Sequence, residues 1–179
     1  MSDKLIIMQR LTRLLEGITG HTWTDVDGVE QTVTYDLEGR VYRGRRTLPA
    51  GDAAGCMSIL EAPREAIGLP AGRDGQVRAT EWRLLVQGWP VEDMMNPSDP
   101  AYIMAAAVEK RLARVYEVNG ANESGDPGGP VYPDDYLLGR TITGITVSDS
   151  LVLPAQENLS AVAFFYIPVT LSLVKNAAR

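Results

Sequence analysis

The stretch SAVAFFYIPVTLSLVKN, residues 160–176, decides the fold because it alternates as a β-strand does. Successive side chains of a strand point to opposite faces of the sheet. The odd positions form one continuous apolar face: Ala161, Ala163, Phe165, Ile167, Val169, Leu171 and Leu173. The even positions begin with Val162, Phe164, Tyr166 and Pro168, which are nearly as apolar. The stretch therefore predicts a sheet with one buried face and a second face that also needs a cover.

Pro168 lies inside this strand, and proline has no N–H group to donate to a sheet ladder. We expect position 168 at a bulge or on a sheet edge, with the strand either breaking there or reaching beyond its own domain. An exposed edge beside apolar side chains promotes aggregation unless something covers it. The pattern predicts a subunit interface made by Val162, Phe164, Tyr166 and Pro168, in a heterologous contact that closes into a ring. The alternative is a cover within the subunit, from the N-terminal helix or region 21–50.

The rest of the chain predicts two helices and several further strands. Apolar residues at helical spacing predict a first helix over 3–18. A second helix follows residue 98, with Asp99 as N-cap, Pro100 at the first helical position and a buried stripe of Ala101, Met104, Ala105, Val108, Leu112 and Val115. Strands are expected at 56–62 and 78–90, and Gly144 is expected at a bulge.

These elements indicate one α+β domain. We expect a mixed or antiparallel β-sheet with two α-helices packed on one face. The domain spans residues 1–179, and two Gly- and Pro-rich segments, at about 63–76 and 119–136, are expected to be long loops. Turn signals at Asp27-Gly28 and Glu38-Gly39 separate short strands in the polar region between the first helix and residue 50.

Composition and charge exclude several classes of function. The net charge of −6 argues against a sequence-independent nucleic-acid binder. The single cysteine, Cys56, excludes an internal disulfide and is expected in a buried strand. Charges interrupt the N-terminal stretch MSDKLIIMQRLTRLLEG, which argues against a signal peptide, and no apolar run is long enough to span a membrane. We expect assembly in a cytoplasm and no membrane partner.

Residues that usually carry chemistry do not form a catalytic pattern in this sequence. The lone histidine, His21, is expected as a surface or capping residue. Adjacent carboxylates occur at Asp134-Asp135 and at Glu92-Asp93, but neighbouring side chains of an extended chain point apart. Phosphate-loop, dinucleotide, zinc-protease and serine-hydrolase motifs are absent. We therefore expect no enzyme, no cofactor and no metal. A small hydrolase or ligand-binding domain that uses these acids is the alternative from another class.

The basic segment GRVYRGRRTLP places Arg40, Arg43, Arg45 and Arg46 within seven residues of an otherwise acidic chain. One interpretation is a solvated hairpin. The other is an electrostatic contact with an acidic protein surface or with DNA phosphate, and the negative net charge favours a protein. We expect partner contacts at these four arginines and, on the second long loop, at Asp134 and Asp135.

The order of these motifs resembles the tail terminator and minor tail protein family of long-tailed, lambda-like bacteriophages (siphoviruses). The resemblance rests on VYRGRRTLPAGDAAGCMSILEAPRE, on ATEWRLLVQGWP, on the long helix and on the terminal SAVAFFYIPVTLSLV strand. It covers most of the chain in order, although identity is weak. The chain is longer than the compact terminators, with extra length in 21–40 and in 119–136, so a head–tail connector, a stopper or another neck component is the alternative.

The resemblance implies a structural virion protein in the neck region of the tail. Such proteins form a ring, usually of six subunits, that caps the tail tube, ends tube polymerisation and offers a docking surface for the head connector. Its partners would be other copies of itself, the tube protein and the connector. DNA would pass through the lumen without specific binding, which suits an acidic chain.

Overall fold

A computed structural model of the chain describes residues 3–62, 79–120 and 128–174, with the side chains of Ala79, Thr80 and Val174 excepted. The predicted loop at 63–76 and the middle of the loop at 119–136 lie outside the described residues. The elements in chain order are α1 (Asp3–Glu16), β1 (Gly20–Thr24), β2 (Glu30–Thr34), β3 (Val41–Arg43), β4 (Cys56–Glu61), β5 (Ala79–Trp89), α2 (Asp99–Ala113), α3 (Leu137–Arg140), β6 (Gly144–Val147), β7 (Leu151–Leu153) and β8 (Phe164–Val174).

The strands of the described residues form two sheets. β1 and β2 make an antiparallel hairpin of their own, and the other six make the main sheet, in the order β3-β4-β5-β8-β6, with β7 also paired to β8. β3 pairs with β4 in parallel, and the remaining pairs are antiparallel. The sheet is therefore mixed, as expected. β8 lies inside it, between β5 on one side and β6 and β7 on the other, so the expectation of an exposed edge at the terminal strand is wrong.

The face of the sheet that meets the helices, called here the helix face, carries the main core. The odd residues of β8 from Phe165 to Leu171 are buried there, together with Trp82, Leu84 and Val86 of β5. α1 contributes Ile7, Leu11, Leu14 and Leu15 to this core, and α2 contributes the stripe predicted from its spacing. The prediction of two helices on one face of a mixed sheet is confirmed, and the molecule is a two-layer α+β domain.

The opposite face, called here the open face, carries the even residues of β8. Two connecting segments fold back over one end of it, where Leu48 and Ser160 form a bridge and the Ala161 N–H donates to the Leu48 carbonyl at 2.9 Å. Under this cover Phe164 packs with Leu48, Cys56 and Trp89 in a second buried cluster. Phe164 is only 2% exposed, so its predicted place in a subunit interface is wrong. The cover comes from this chain, as the alternative proposed, with Leu48 supplied by region 21–50 and a second contribution from the segment around residue 160.

Pro168 lies at a β-bulge. β6 pairs Val147 with Val169, and β7 pairs Leu151 with Tyr166, so three residues, 148–150, oppose the two residues 167 and 168. The Pro168 carbonyl accepts from the Ser148 N–H at 3.0 Å. In an antiparallel ladder the N–H and carbonyl of a residue point the same way, so the missing proline N–H faces the bulge. The bulge predicted at Pro168 is confirmed, β8 continues unbroken for 11 residues, and the bulge predicted at Gly144 is wrong because Gly144 pairs regularly with Ser172.

Two further segments position the surface around α2. The helix begins one residue earlier than predicted, with Ser98 as N-cap and Pro100 in its first turn. After the second long loop, α3 is a left-handed turn in which Leu137, Leu138, Gly139 and Arg140 all have positive φ. This conformation costs about 1–2 kcal/mol for each residue other than glycine. Burial of Leu138 and a 2.9 Å hydrogen bond from Arg10 Nη1 to its carbonyl hold the turn against α1.

Gly88 provides a test of the packing between β5 and β8. The ring of Phe165 lies over it, so that a Cβ added at Gly88 would stand 2.4 Å from a ring carbon. Since Phe165 is fully buried, we expect Gly88→Ala to lower the free energy of unfolding by about 1–3 kcal/mol. Urea denaturation measures this change. Gly144→Ala is the matched control in the same sheet, because its Cβ would meet Ser172 at an ordinary 3.5 Å. Equal stability of the two variants would contradict the packing.

Candidate functional site

The open face is the first surface on which a function can be based. Leu60, Leu85 and Pro168 lie side by side on β4, β5 and β8, and all three are half-buried. The next row across the same strands is Ser58, Gln87 and Tyr166, with Tyr166 half-buried and Leu151 at its end 45% exposed. None of the described helices lies on this face. Ser58 and Gln87 are themselves buried, so the patch is limited to the partly exposed apolar residues of the two rows, and such a patch in the middle of a sheet is typical of a protein contact.

The predicted interface residues divide between the two ends of this face. Phe164 belongs to the buried cluster at the covered end, and Val162 packs partly against that cluster. Tyr166 and Pro168 remain half-exposed on the uncovered rows. Their role in a subunit interface stays a prediction. Sequence alternation located the face, but it could not indicate that Leu60 and Leu85 share it.

The arginine segment follows the edge of the main sheet at β3. It is not a hairpin, because β3 pairs with β4 in parallel. Arg40 Nη2 donates to the Ala54 carbonyl at 2.7 Å, and Arg45 forms an ion pair with Asp52 and lies over the Tyr42 ring. Arg43 and Arg46 are exposed, and no hydrogen bond or ion pair within the described residues engages them. Two of the four predicted contact arginines therefore stabilise the chain itself, and two are available to a partner.

A cationic groove, which the sequence did not reveal, lies between the base of the β1–β2 hairpin and the C-terminal half of α2. Its volume is about 650 Å³. Lys110, Arg111 and Arg114 line one wall, and the other carries the threonines of the hairpin base, Thr19, Thr22, Thr32 and Thr34. Ile18, Val33, Ala107 and Ala113 add apolar surface, and Glu117 is its one acid. A second, smaller cavity of about 180 Å³ lies beside it, lined by Arg10, Arg13, Arg111, Asp134 and Asp135 among others.

Hydrogen bonds and ion pairs fix the geometry of the groove. Arg111 Nε donates to the Leu14 carbonyl at 2.8 Å, which satisfies a free carbonyl at the C-terminal end of α1. Its guanidinium lies against Gly17, where a Cβ would come within 2.3 Å of Nη2. Burial, followed by the charge of Arg114, lowers the pKa of Arg111. The Arg111 guanidinium is thus a cation held in place in the α2 wall of the groove.

Arg114 and His21 complete the charges of the groove. Arg114 Nε is 2.8 Å from Asp135 Oδ2, and its guanidinium lies 4.1 Å from the centroid of the Tyr132 ring. Asp135, predicted to contact a partner, is therefore held by this chain, whereas Asp134 is exposed. His21 stacks on Trp23, and burial and then the charge of Lys110 lower the pKa of His21. Lys110 is exposed and has no ion pair within the described residues.

The β1–β2 hairpin carries an ordered acidic tip away from the groove. Asp25 Oδ1 accepts from the Asp27 and Val29 amides at 3.0 and 2.9 Å, and Asp25 Oδ2 accepts from Gln31 Nε2 at 2.9 Å. Gly28 closes the turn with a φ of 79°. The tip displays Val26, 101% exposed, and Val29, 53% exposed, beside the exposed carboxylates of Asp27 and Glu30. Two apolar and two acidic side chains thus project from a fixed turn.

The other groups singled out in the sequence do not converge. Cys56 is buried, as predicted, and burial raises the pKa of its thiol. Asp93 accepts from the Met95 amide in its own loop, far along the chain from the Asp135–Arg114 pair. Within the described ranges, no group of three or more His, Cys, Asp or Glu residues could hold a metal ion. Nor does any helix of the described residues have the length and apolar character needed to cross a membrane.

A second cleft, of about 370 Å³, lies beside the same hairpin and shares Val33 and Thr34 with the cationic groove. Trp23, Val33 and Tyr35 line it from the hairpin, and Val91, Pro100 and Ile103 line it from the loop before α2 and from α2 itself. Burial raises the pKa of Tyr35 to about 12. The hairpin thus contacts α2 and lines both an apolar cleft and the cationic groove.

Comparison with known proteins adds no relative to this description. Neither a protein-family model nor a curated protein matches the chain. The class that the fold defines is a two-layer α+β domain with an open sheet face, a cationic groove and an acidic hairpin tip.

Asp25 provides a test of the tip. Gln31, Val29 and Asp27 all donate to its carboxylate, and these bonds lower the pKa of Asp25. We expect Asp25→Ala to speed amide hydrogen exchange at Asp27 and Val29 while exchange in β5 and β8 stays unchanged. Because the pKa of Asp25 is lowered in the folded state, its contribution is complete above the unfolded-state pKa. It is lost as the pH falls through the folded-state pKa.

Asp36→Ala is the control for this experiment, since Asp36 is exposed and just beyond β2. Exchange measured by NMR at a series of pH values gives the comparison. Equal exchange at the tip in the two variants would contradict the fixed turn.

Proposed function

We propose that this chain is a structural virion protein of a long-tailed bacteriophage that assembles into a ring, of six copies, on the end of the tail tube. In this role the ring ends tube polymerisation and offers a docking surface to the head connector. The protein acts in the neck of the virion after assembly in the host cytoplasm, as an assembly component and not as an enzyme. DNA crosses the lumen without specific binding.

The observation that carries this proposal is the open face. Leu60, Leu85, Tyr166 and Pro168 form a partly exposed apolar patch at the centre of the main sheet, where the water-facing side of an antiparallel sheet normally carries polar residues. Full burial of a leucine contributes about 1.5–3 kcal/mol, and each of these four side chains is exposed over about a third of its surface or less, so covering all four stabilises a contact by about 2–4 kcal/mol at most before entropy costs. A neighbouring copy is the cover that a ring supplies. The order of motifs that resembles tail terminators supports the particular ring.

The edges of the main sheet also suit an assembly. β3 is an edge strand of three residues, and β6 and β7 at the other edge are interrupted by the bulge at 148–150. Short and bulged edges resist uncontrolled strand pairing. Association is then directed to side-chain surfaces, among them the open face and the exposed Arg43 and Arg46 beside β3.

The test is native mass and negative-stain imaging of the protein, alone and with tail tubes assembled from the tube protein of the same phage genome. We expect rings at tube ends. Tyr166→Asp places an unpaired carboxylate in the contact, at a cost of roughly 3 kcal/mol, and should weaken self-association about a hundredfold. Tyr166 is half-exposed, so the variant is expected to fold.

Tyr102→Asp is the matched control, since Tyr102 is 60% exposed on α2 and away from the open face. It should leave ring formation unchanged. A protein that stays monomeric and ignores tubes would contradict the proposed function. Rings that bind the connector but not the tube would indicate the neck-component alternative.

The exposed arginines beside β3 give a separate prediction about the partner. Arg43→Glu and Arg46→Glu should each weaken attachment of the ring to tube or connector roughly threefold to tenfold, as expected for charges at the rim of an interface. Self-assembly should not change. The measurement is co-sedimentation with each partner, and Arg140→Glu, an exposed arginine on α3, makes the same change in charge as a control. Unchanged attachment in both variants would indicate that these arginines are only solvated.

A further inference from the structure

The cationic groove and the acidic tip belong to opposite ends of one hairpin. Gly20 pairs with Thr34 at the base, beside the groove, and Thr24 pairs with Glu30 next to the tip. The groove lining extends along the hairpin to Thr22 and Thr32, so at about 3.3 Å per residue the pair of Thr24 with Glu30 lies roughly 7 Å farther out along the strands, and the turn that follows lies beyond it. The hairpin therefore carries its own tip away from its own groove. A tip that occupies a groove has to come from another copy.

The charges of the two surfaces are complementary. Lys110 and Arg111 give the groove positive charge in a chain whose net charge is −6, while Arg114 is paired with Asp135 and Glu117 is the one acid of the lining. Asp27 and Glu30 at the tip are exposed, and no described ion pair engages them. The apolar parts also correspond, because the tip exposes Val26 and Val29 and the groove includes Ile18 and Ala107. Opposite charge and exposed apolar surface together favour contact between copies.

The tip is also held in one conformation before any contact. Asp25 satisfies two amides and the Gln31 side chain, so the turn that carries Val26 and Asp27 is already ordered. The groove is similarly fixed, by the Arg111 bond to Leu14 and by the Arg114 pair with Asp135. Two ordered surfaces lose less conformational entropy on association than flexible ones.

We propose that the hairpin tip of one copy docks in the cationic groove of the next copy. This contact uses two different surfaces of the same chain, so it is heterologous, and it repeats from copy to copy until a ring closes. The inference rests on the proposed function only in that both require self-assembly. An acidic protein segment suits the groove better than DNA, since the tip adds apolar contacts from Val26 and Val29 that a phosphate backbone lacks, and a chain of net charge −6 repels a long polyanion.

Charge reversal on each side tests the contact. A tip-reversed chain carries Asp27→Lys with Glu30→Lys, and a groove-reversed chain carries Lys110→Glu with Thr32→Glu, all at exposed positions. When either variant is alone, its tip and the groove of the next copy carry charge of the same sign. We therefore expect self-association at least about tenfold weaker than that of the parent. In an equal mixture, the basic tip of the tip-reversed chain can dock in the acidic groove of the groove-reversed chain. The acidic tip of the groove-reversed chain can dock in the cationic groove of the tip-reversed chain. Sedimentation velocity should then show assembly restored to within about threefold of the parent.

Asp149→Lys with Glu157→Lys is the control for the tip-reversed chain, because it makes the same change in charge at two other exposed acids. It should assemble as the parent does. If the tip-reversed and groove-reversed chains each assemble like the parent, or if their mixture stays monomeric, the inference is overturned.

Cross-linking gives a second readout that does not depend on charge. A chain with Val26→Cys is mixed with a chain with Lys110→Cys and treated with a short bismaleimide, while the native Cys56 is buried. A cross-linked dimer is expected. Val91→Cys, at a residue 70% exposed, replaces Val26→Cys in the control and should give none. Absence of the dimer with Val26→Cys overturns the inference.

The two proposals fail in different ways. Rings that cap tubes but do not respond to charge reversal overturn the tip contact and leave the proposed function standing. Assembly that depends on the tip but ignores tubes overturns the tail role and leaves the contact standing.

Discussion

The pairing of β5 with β8 is the constraint on which the rest of the structure depends. Ten residue pairs, from Ala79 with Val174 to Gly88 with Phe165, fix which side chains of both strands share a face. Because the side-chain period of a strand is two, a slip by one residue would exchange the two faces completely. The register sends Ile167, Val169 and Leu171 to the helices and leaves Tyr166 and Pro168 on the open face. The main core and the proposed contact surface thus follow from one pairing.

Pro168 limits what can pair with β8 on its other side. The Pro168 carbonyl accepts a hydrogen bond from the Ser148 N–H, but Pro168 has no N–H to donate in return. At this point the partner strand has one extra residue, within 148–150. The bulge divides the partner into β6 and β7. The sequence predicted a bulge from the proline but assigned another to Gly144, because the apolar phase shifts between Ile142 and Ile145. Here the missing N–H of Pro168 in β8 determines the position of the bulge, and the extra residue lies on the partner strand, at 148–150.

Local patterns predicted what depends on local periodicity, and failed where distant segments meet. Alternation in β8 and spacing in α2 predicted the helix face correctly, residue by residue. Phe164 was misassigned because its cover comes from the contact of Leu48 with Ser160, more than a hundred residues apart, which no alternation reports. The groove was missed for the same reason. The sequence pattern predicted that Lys110 and Arg111 lie on the solvated side of a helix. The one signal of a cationic surface was that they lie in the last turn of α2, as Arg13 lies in the last turn of α1.

Our proposal that the hairpin serves contact between copies is supported by how little the hairpin contributes to the core. A two-stranded sheet is marginally stable alone, and its residues are absent from both buried clusters except for Tyr35, just beyond β2, which packs against the larger one. It contributes little to the core, yet it holds an ordered tip with a fully exposed valine. Since many functions occupy α+β domains, such surfaces carry more information about function than the architecture does. The acidic tip, the cationic groove and the partly exposed apolar face are all held in ordered structure. A ring of identical subunits would bury all three surfaces.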